Sequence, residues 1–244
     1  MTNDFFTTYD RFLKTSTVGN WPDRLNARHD AIVSGNLEAF KDARVLDIAS
    51  HDGRWTFAAL RAGAAHVTGI EVRADLVAAA TLNLEHFGVS EDRFRFVHAD
   101  AFERRDIFEG PYDVVLCLGF LYHTTRHVEL IQLIRRTQAR TVIFDTLLAN
   151  VSGNLSTLFV ETCDDPANGL DDMGVRNGRI VVAHPSPGCL ELMLKHFGYS
   201  MKRCDWKPIF ARRGLTPDKD SKVSAANPVA DYFRDDRGTF VARL

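Results

Sequence analysis

The stretch VLDIASHDGRWTFAAL, residues 45–60, decides the fold. It opens as an apolar run with one acidic residue, passes through the tight turn A-S-H-D-G-R, and continues as a helical pattern. Strand, turn and helix in that order begin a nucleotide-binding βαβ unit. A dinucleotide would call for G-x-G-x-x-G, so that bare backbone can approach a pyrophosphate at the helix start. Here only Gly53 stands in the turn, so phosphate cradling is poorly supported. A nucleoside whose charged end is an amino acid needs only one or two close backbone approaches.

The rhythm persists downstream. Short apolar runs (HVTGIEV, RFRFVHAD, YDVVLCLG, TVIFDTLL) alternate with helical stretches (ADLVAAATLNLEHFG, HVELIQLIRRTQ), the pattern of a parallel sheet covered by helices. In residues 74–87, Leu76, Ala80 and Leu84 share one helical face, and Gly88 supplies a C-cap. VVLCL is apolar throughout, as a strand buried on both faces should be. After the fifth strand the alternation breaks. Residues 149–186 read as an insertion over the sheet edge, with the strand-like pieces TLFVETC and GRIVVAH joined by an acidic, Gly/Asn-rich loop. Ser186 then caps a helix, and YSMKRCDW and GTFVARL close the chain. The polar segment 207–237 between them reads as a long loop or a second flap.

Composition narrows the class. The chain has 244 residues, 45% of them hydrophobic, enough for one domain with a continuous core. Thirty Lys and Arg against 32 Asp and Glu leave a net charge of -2, so no overall basic field draws it to nucleic acid. The four cysteines are widely spaced with no C-x-x-C, the usage of reduced thiols. With no run of membrane-spanning length and no signal-peptide blocks at the N-terminus, the expected location is the cytoplasm. A homodimer is the expectation from base rates.

From residue 44 to the end, the chain resembles the class I S-adenosylmethionine-dependent methyltransferases. VLDIASHDG resembles the family's first motif, GIEV its ribose-binding acid, and FVHADAF its adenine-facing third strand. The resemblance implies an α/β, Rossmann-like, doubly wound seven-stranded sheet, mostly parallel with an antiparallel last strand. It also implies S-adenosylmethionine as cofactor, with Asp47 near the methionine end, Gly53 in the turn, Glu71 on the ribose and Asp100 at adenine. Ala49, Ser50, Trp55, Ala101 and Leu118 complete the expected cofactor site, although an aromatic at Trp55 also suits plain packing. The expected layout is a helical lid (1–43), a cofactor-binding core (44–148), the substrate-side insertion (149–186), and a C-terminal helix with closing hairpin (187–244).

The segment VVLCLGFLYHTTRH is similar to the L-Y-H region of methyltransferases that complete 5-oxyacetyl-type modifications of the tRNA wobble uridine. Actinobacterial O-methyltransferases of sugars, including mannosides, look similar there too. Beside Tyr122, His123 follows the fourth strand where ligand clefts open, and an imidazole there can take a hydroxyl proton as general base. The alternative is a histidine that merely bonds backbone at a helix start. His184 is a second candidate, or a turn histidine. Asp145, at the end of the fifth strand, is expected to orient a substrate hydroxyl, or with Glu161, Asp164 and Asp165 to hold a magnesium ion. Trp21 and Arg24, with Arg28, belong to a segment expected to lie over the cofactor, an arginine pairing a carboxylate.

These readings converge on methyl transfer to a hydroxyl of a small polar acceptor, a sugar or oligosaccharide of mannoside type. Clustered acids, Asn168 and histidine suit hydroxyls, whereas phosphate backbones call for clustered Lys and Arg. The alternatives are the tRNA wobble uridine as acceptor, a carboxylated variant of the sulfonium cofactor, and a non-catalytic binder that uses the fold as a scaffold.

Overall fold

The computed structural model describes residues 4–16, 21–165, 168, 175–216, 218 and 222–244. The acidic insertion loop falls largely outside these residues, apart from Asp164, Asp165 and Asn168. Among the described residues nine strands form two sheets: β1 (Arg44–Ile48), β2 (His66–Glu71), β3 (Phe94–His98), β4 (Val114–Leu118), β5 (Thr141–Leu147), β6 (Ser156–Thr162), β7 (Arg179–Pro185), β8 (Ser200–Arg203) and β9 (Arg237–Arg243). The main sheet runs β3-β2-β1-β4-β5-β9-β8, parallel through β5, with β9 antiparallel to both β5 and β8. This is the doubly wound sheet that the alternating pattern and the resemblance lead one to expect. Its order reverses between β1 and β4, which opens a crevice beyond the strand ends.

All five residues of β4 are buried, because helices cover both faces. On one face the helices Arg54–Arg61 and Ala74–His86 contribute Phe57 and Leu84, and the N-terminal segment adds Phe5, Phe6 and Phe12. On the other, the helices His127–Arg136 and Pro187–His196 bring Leu130, Ile134, Leu190 and Leu194 against Val115 and Phe144. Each such side chain contributes about 1.5–3 kcal/mol on burial. With three of its phenylalanines buried, the N-terminal segment is therefore a layer of the core as well as a cover. Ser186 caps the helix Pro187–His196, its hydroxyl accepting from Cys189 N.

Segment 207–237 keeps a loop in its middle, at the described residues 214–216, 218 and 222–229, but is not loop throughout. It contains the helices Lys207–Arg213 and Ala230–Phe233. Trp206 stacks on Tyr232 at 3.7 Å, and both pack with Ile209, Phe210 and Val229 against Ala27 and Ala31 of the N-terminal helix Pro22–Ile32. A handful of apolar residues at helical spacing, hidden among charges, carries this third cluster.

The insertion forms its own antiparallel pair, β6 with β7. Thr157, opposite His184, shares a face with Phe159 and Glu161, and the Phe159 and His184 rings lie 4.3 Å apart. The other face carries Leu158, Val160 and Val181, all exposed. No described helix is long and apolar enough to cross a membrane.

Candidate functional site

A cavity of about 310 Å³ opens at the crevice, toward the lower end of the roughly 300–1,000 Å³ usual for small-molecule sites. Its floor is the turn after β1. Ala49, His51 and Gly53 all adopt positive φ, at 56°, 52° and 79°. The turn thus keeps the backbone path that a glycine-rich loop would take, with side chains at two of the three left-handed positions. Only Gly53 is tightly constrained, since a Cβ there would meet Phe96 at 3.0 Å and both Ala80 and Leu84 at 3.1 Å. The N-terminal segment pins this turn from outside: Thr15 Oγ1 donates to Asp52 Oδ2 and Arg54 Nη2 to Ser16 Oγ. Although burial opposes ionisation, Arg54 and His51 hold the Asp52 carboxyl down at about 2.

At one end of the cavity stands Glu71, the last residue of β2. Its Oε2 accepts from His51 N at 3.0 Å, and its Oε1 accepts from Arg73 N at 3.1 Å and Arg73 Nε at 3.3 Å. Asp100 lines the same end, its Oδ1 accepting from Phe102 N. Ala49, Trp55, Ala101 and Leu118 line the cavity as well. Trp55 is both packing and wall, edge-on to Phe6 at 5.3 Å.

Three residues expected at the cofactor lie behind the wall instead. Asp47 is buried under the turn, where Thr56 Oγ1 donates to it at 2.8 Å and burial pushes its carboxyl up to about 7. Ser50 points its hydroxyl inward against Gly69, where no partner meets it, and Gly53 faces Phe96. All three shape the turn from below, Asp47 through Thr56, and Ser50 and Gly53 by packing against Gly69 and Phe96.

At the other end, the 3-10 turn Leu121–His123 presents Tyr122 and His123 to the cavity. His123 Nδ1 lies 2.9 Å from Glu161 Oε2, on β6 of the insertion. Sequence spacing gave no sign of this pairing, since 38 residues separate the two. His184 packs edge-on to Tyr122 at 5.8 Å rather than lining the cavity. Burial pushes its imidazole down to about 4, and its Nε2 is buried without a partner, so it is a neutral support of Tyr122 rather than a base.

Asp145 is placed differently from the expectation. It is wholly buried and absent from the cavity wall, accepting from Arg28 Nη2 (3.1 Å), Arg237 Nη1 (2.9 Å), Tyr232 Oη (2.9 Å) and Thr239 Oγ1 (2.7 Å). These donors outweigh the burial that would raise its pKa and hold the carboxyl below the usual range. A carboxylate so committed does not orient substrate or ligate metal. Among the described residues no group of three or more His, Cys, Asp or Glu is arranged to hold a metal ion, and Glu161 is engaged by His123. The magnesium expectation therefore has no site among the described residues.

The N-terminal arginines do pair with carboxylates. Arg24 makes a two-pronged contact with Asp231 at 2.7 and 2.8 Å, and Arg28 reaches Asp145 while lying over the Trp55 ring, 5.1 Å from its centre. Trp21, Arg24 and Arg28 all line the cavity. Sequence reasoning missed Arg73, Arg237 and Phe120 as wall residues. A signal for Arg73 was present, two residues beyond the strand-end acid; Arg237 had none, its position depending on β9 inserting beside β5.

Comparison with known proteins agrees with this architecture. Residues 45–140 match the family model described as a methyltransferase domain. No curated protein matches the sequence. Among solved structures, the N-terminal domain of EvdMO1 with SAH bound superposes with a TM-score of 0.61 at 20% identity, covering 91% of this chain and 81% of that one. The same domain has been solved in the presence of SAH and D-fucose. The DhpI-SAM-HEP complex gives 0.61 at 18% identity, with 98% and 95% covered. The [4+2]-cyclase SpnF gives 0.57 at 17% identity, with 98% and 93% covered. At these identities the likeness is one of fold: the chain has the seven-stranded, Rossmann-like methyltransferase fold.

Proposed function

We propose that this protein transfers the methyl group of S-adenosylmethionine to a hydroxyl of a small polar acceptor, a sugar or oligosaccharide. The observation that carries this reading is the His123–Glu161 pair, of which His123 lines a cavity whose far end is Glu71 and Asp100.

The residues present fit such a cofactor. Glu71 accepts ribose hydroxyls, the weak 3.3 Å contact from Arg73 Nε being the one they displace. Asp100 faces the adenine, and Ala49 and the turn admit the amino-acid end over β1 and β4. When bound, the sulfonium supplies an activated methyl carbon. The chain's own part is alignment and proton removal. Glu161 orients the His123 imidazole through Nδ1, the imidazole takes the acceptor's proton as its oxygen attacks, and Tyr122 forms the adjoining wall. Holding acceptor and methyl carbon in line supplies several kcal/mol of the barrier on its own.

The sugar reading draws on the hydroxyl-suited groups around the cavity, and on an EvdMO1 domain with a related fold having been studied with D-fucose. The fold also serves a [4+2]-cyclase, so it does not fix the reaction by itself. The test is transfer of labelled methyl from S-adenosylmethionine into two pools, oligosaccharides and unmodified tRNA, each with and without EDTA. Label in the oligosaccharides, insensitive to EDTA, is expected. Label confined to tRNA would replace the substrate class. Bound cofactor with no label in either pool would turn the reading toward a non-methylating use of the fold.

A further inference from the structure

The β6–β7 pair leaves one strand edge open. Bonds from Ser186 N to Leu155 O and from Cys163 N to Gly178 O flank β6 at its two ends. An antiparallel ladder alternates, so Thr157, Phe159 and Glu161 exchange bonds with β7, and the N–H and C=O groups of Ser156, Leu158 and Val160 point the opposite way. Among the described residues nothing meets those groups. The open edge ends at Thr162, whose carbonyl accepts from Asn168 Nδ2 at 2.6 Å.

An open edge is a template for another chain, and proteins commonly blunt it with charge, proline or brevity. The main sheet does so: β3 exposes Arg95 and His98, and β8 spans only Ser200–Arg203, with Lys202 exposed. β6 instead runs from Ser156 to Thr162 without a lysine, arginine or proline. Leu158 and Val160 are each 64% exposed and Phe159 43%, and Leu155 and Val181 are exposed as well. Single exposed apolar side chains are ordinary, whereas a contiguous group marks an interaction surface.

The strand's own sequence says what covers it. Ser-Thr-Leu-Phe-Val-Glu-Thr, residues 156–162, is nearly the same read backwards about Phe159. Two antiparallel copies must set outward groups against outward groups, so even-numbered residues face even-numbered ones. Centred on Phe159, Leu158 meets Val160 of the second copy, Ser156 meets Thr162, and Thr157 meets Glu161. Aliphatic then faces aliphatic, hydroxyl faces hydroxyl or carboxylate, and the two Glu161 carboxylates stay apart. Such a contact is self-complementary, as a two-fold axis requires.

We infer that two copies of this chain associate through β6, joining their hairpins into one four-stranded sheet about a two-fold axis at Phe159. The area sets the strength. An apolar side chain of this size carries roughly 60–120 Å² of surface. At about half exposure each, the exposed group falls short of the about 800 Å² per partner of a standard interface. The backbone edge therefore carries part of the contact, and the pair forms at micromolar rather than nanomolar concentration. The same pairing holds in place the strand that presents Glu161 to His123.

The experiment is sedimentation velocity of the full chain from about 1 to 200 µM, with two variants beside it. Wild-type protein should pass from monomer to twice the chain mass within that range. Val160→Lys sets a charge on the edge at an exposed position and should weaken the association by about tenfold or more. In the centred register Phe159 faces its own copy as a non-hydrogen-bonded pair, with Cα atoms about 4.5 Å apart and within reach of a disulfide. Phe159→Cys should therefore cross-link on mild oxidation. Wild type, with its native cysteines, should not, and neither should Leu82→Cys, at an exposed position of the helix Ala74–His86. Protein that stays monomeric across the range overturns the inference. So does a dimer that Val160→Lys leaves unchanged, or one in which Phe159→Cys cross-links no more than Leu82→Cys, since either places the interface elsewhere. None of these readouts involves the proposed reaction.

Discussion

His123 and Glu161 come from opposite sides of strand five in the chain and meet at 2.9 Å, so the hairpin that looks like an appendage supplies half of the candidate base. A carboxylate in this place selects the imidazole tautomer and steadies the imidazolium formed when the proton arrives. Glu161→Gln keeps the size and loses that charge; turnover is expected to fall by about tenfold or more, with cofactor affinity unchanged. Steady-state rates beside SAH titrations check it, and equal loss in both would make Glu161 a folding residue.

Gly53 and Ala49 both sit at positive φ, yet they should answer substitution in opposite ways. Gly53→Ala forces a Cβ into Phe96, Ala80 and Leu84 in a left-handed residue, and should cost about 2 kcal/mol or more. Ala49→Gly relieves an unfavourable conformation and should be neutral or stabilising by up to about 1 kcal/mol. Urea unfolding of the two variants separates them.

Asp145 anchors rather than catalyses. Asp145→Ala leaves Arg28 and Arg237 facing each other without their shared anion, and the expected loss of stability is about 3–5 kcal/mol. Calorimetric unfolding measures it. A well-folded variant of normal melting temperature that had lost only turnover would restore Asp145 to the chemistry.

His29 gives the protein a defined acid sensitivity. It is buried, stacked on Phe5 at 4.3 Å, and burial pushes its imidazole down to about 4 from an ordinary 6.5. Between those values the unfolded chain binds the proton and the folded one does not, so this contribution to stability falls as pH drops from 6.5 to 4, by up to about 1.4 kcal/mol per pH unit. Asp47, raised to about 7, contributes with the opposite sign across all of that range. The informative quantity is thus the difference between wild type and His29→Phe. Denaturant midpoints across this range should show a shallower acid loss in the variant, and parallel profiles would remove His29 from the account.

The sheet, the positions of Glu71 and Asp100 at the cavity and the insertion's two strands were legible because each is a local pattern: an apolar run, a strand-end acid, a turn glycine. What the sequence hid depends on pieces distant in the chain. Asp145 reads identically whether its carboxylate faces the cavity or β9, and only the insertion of β9 beside β5 decides that Thr239 and Arg237 reach it. The helices within 207–237 were obscured because Trp206, Phe210 and Tyr232 are few and set among charges, their burial resting on Ala27 and Ala31 far upstream. The turn after β1 was half legible. Its missing glycines cast doubt on a geometry that Ala49 and His51 nevertheless adopt, held by the bond from His51 N to Glu71.

The most direct test of the account is single-turnover methyl transfer by His123→Ala in the presence of saturating S-adenosylmethionine and the acceptor pool that wild type labels. The expected result is a rate lower by about a hundredfold or more, with SAH affinity close to wild type. An unchanged rate would take His123 out of the chemistry and leave the pair it forms with Glu161 as a structural clasp for the insertion.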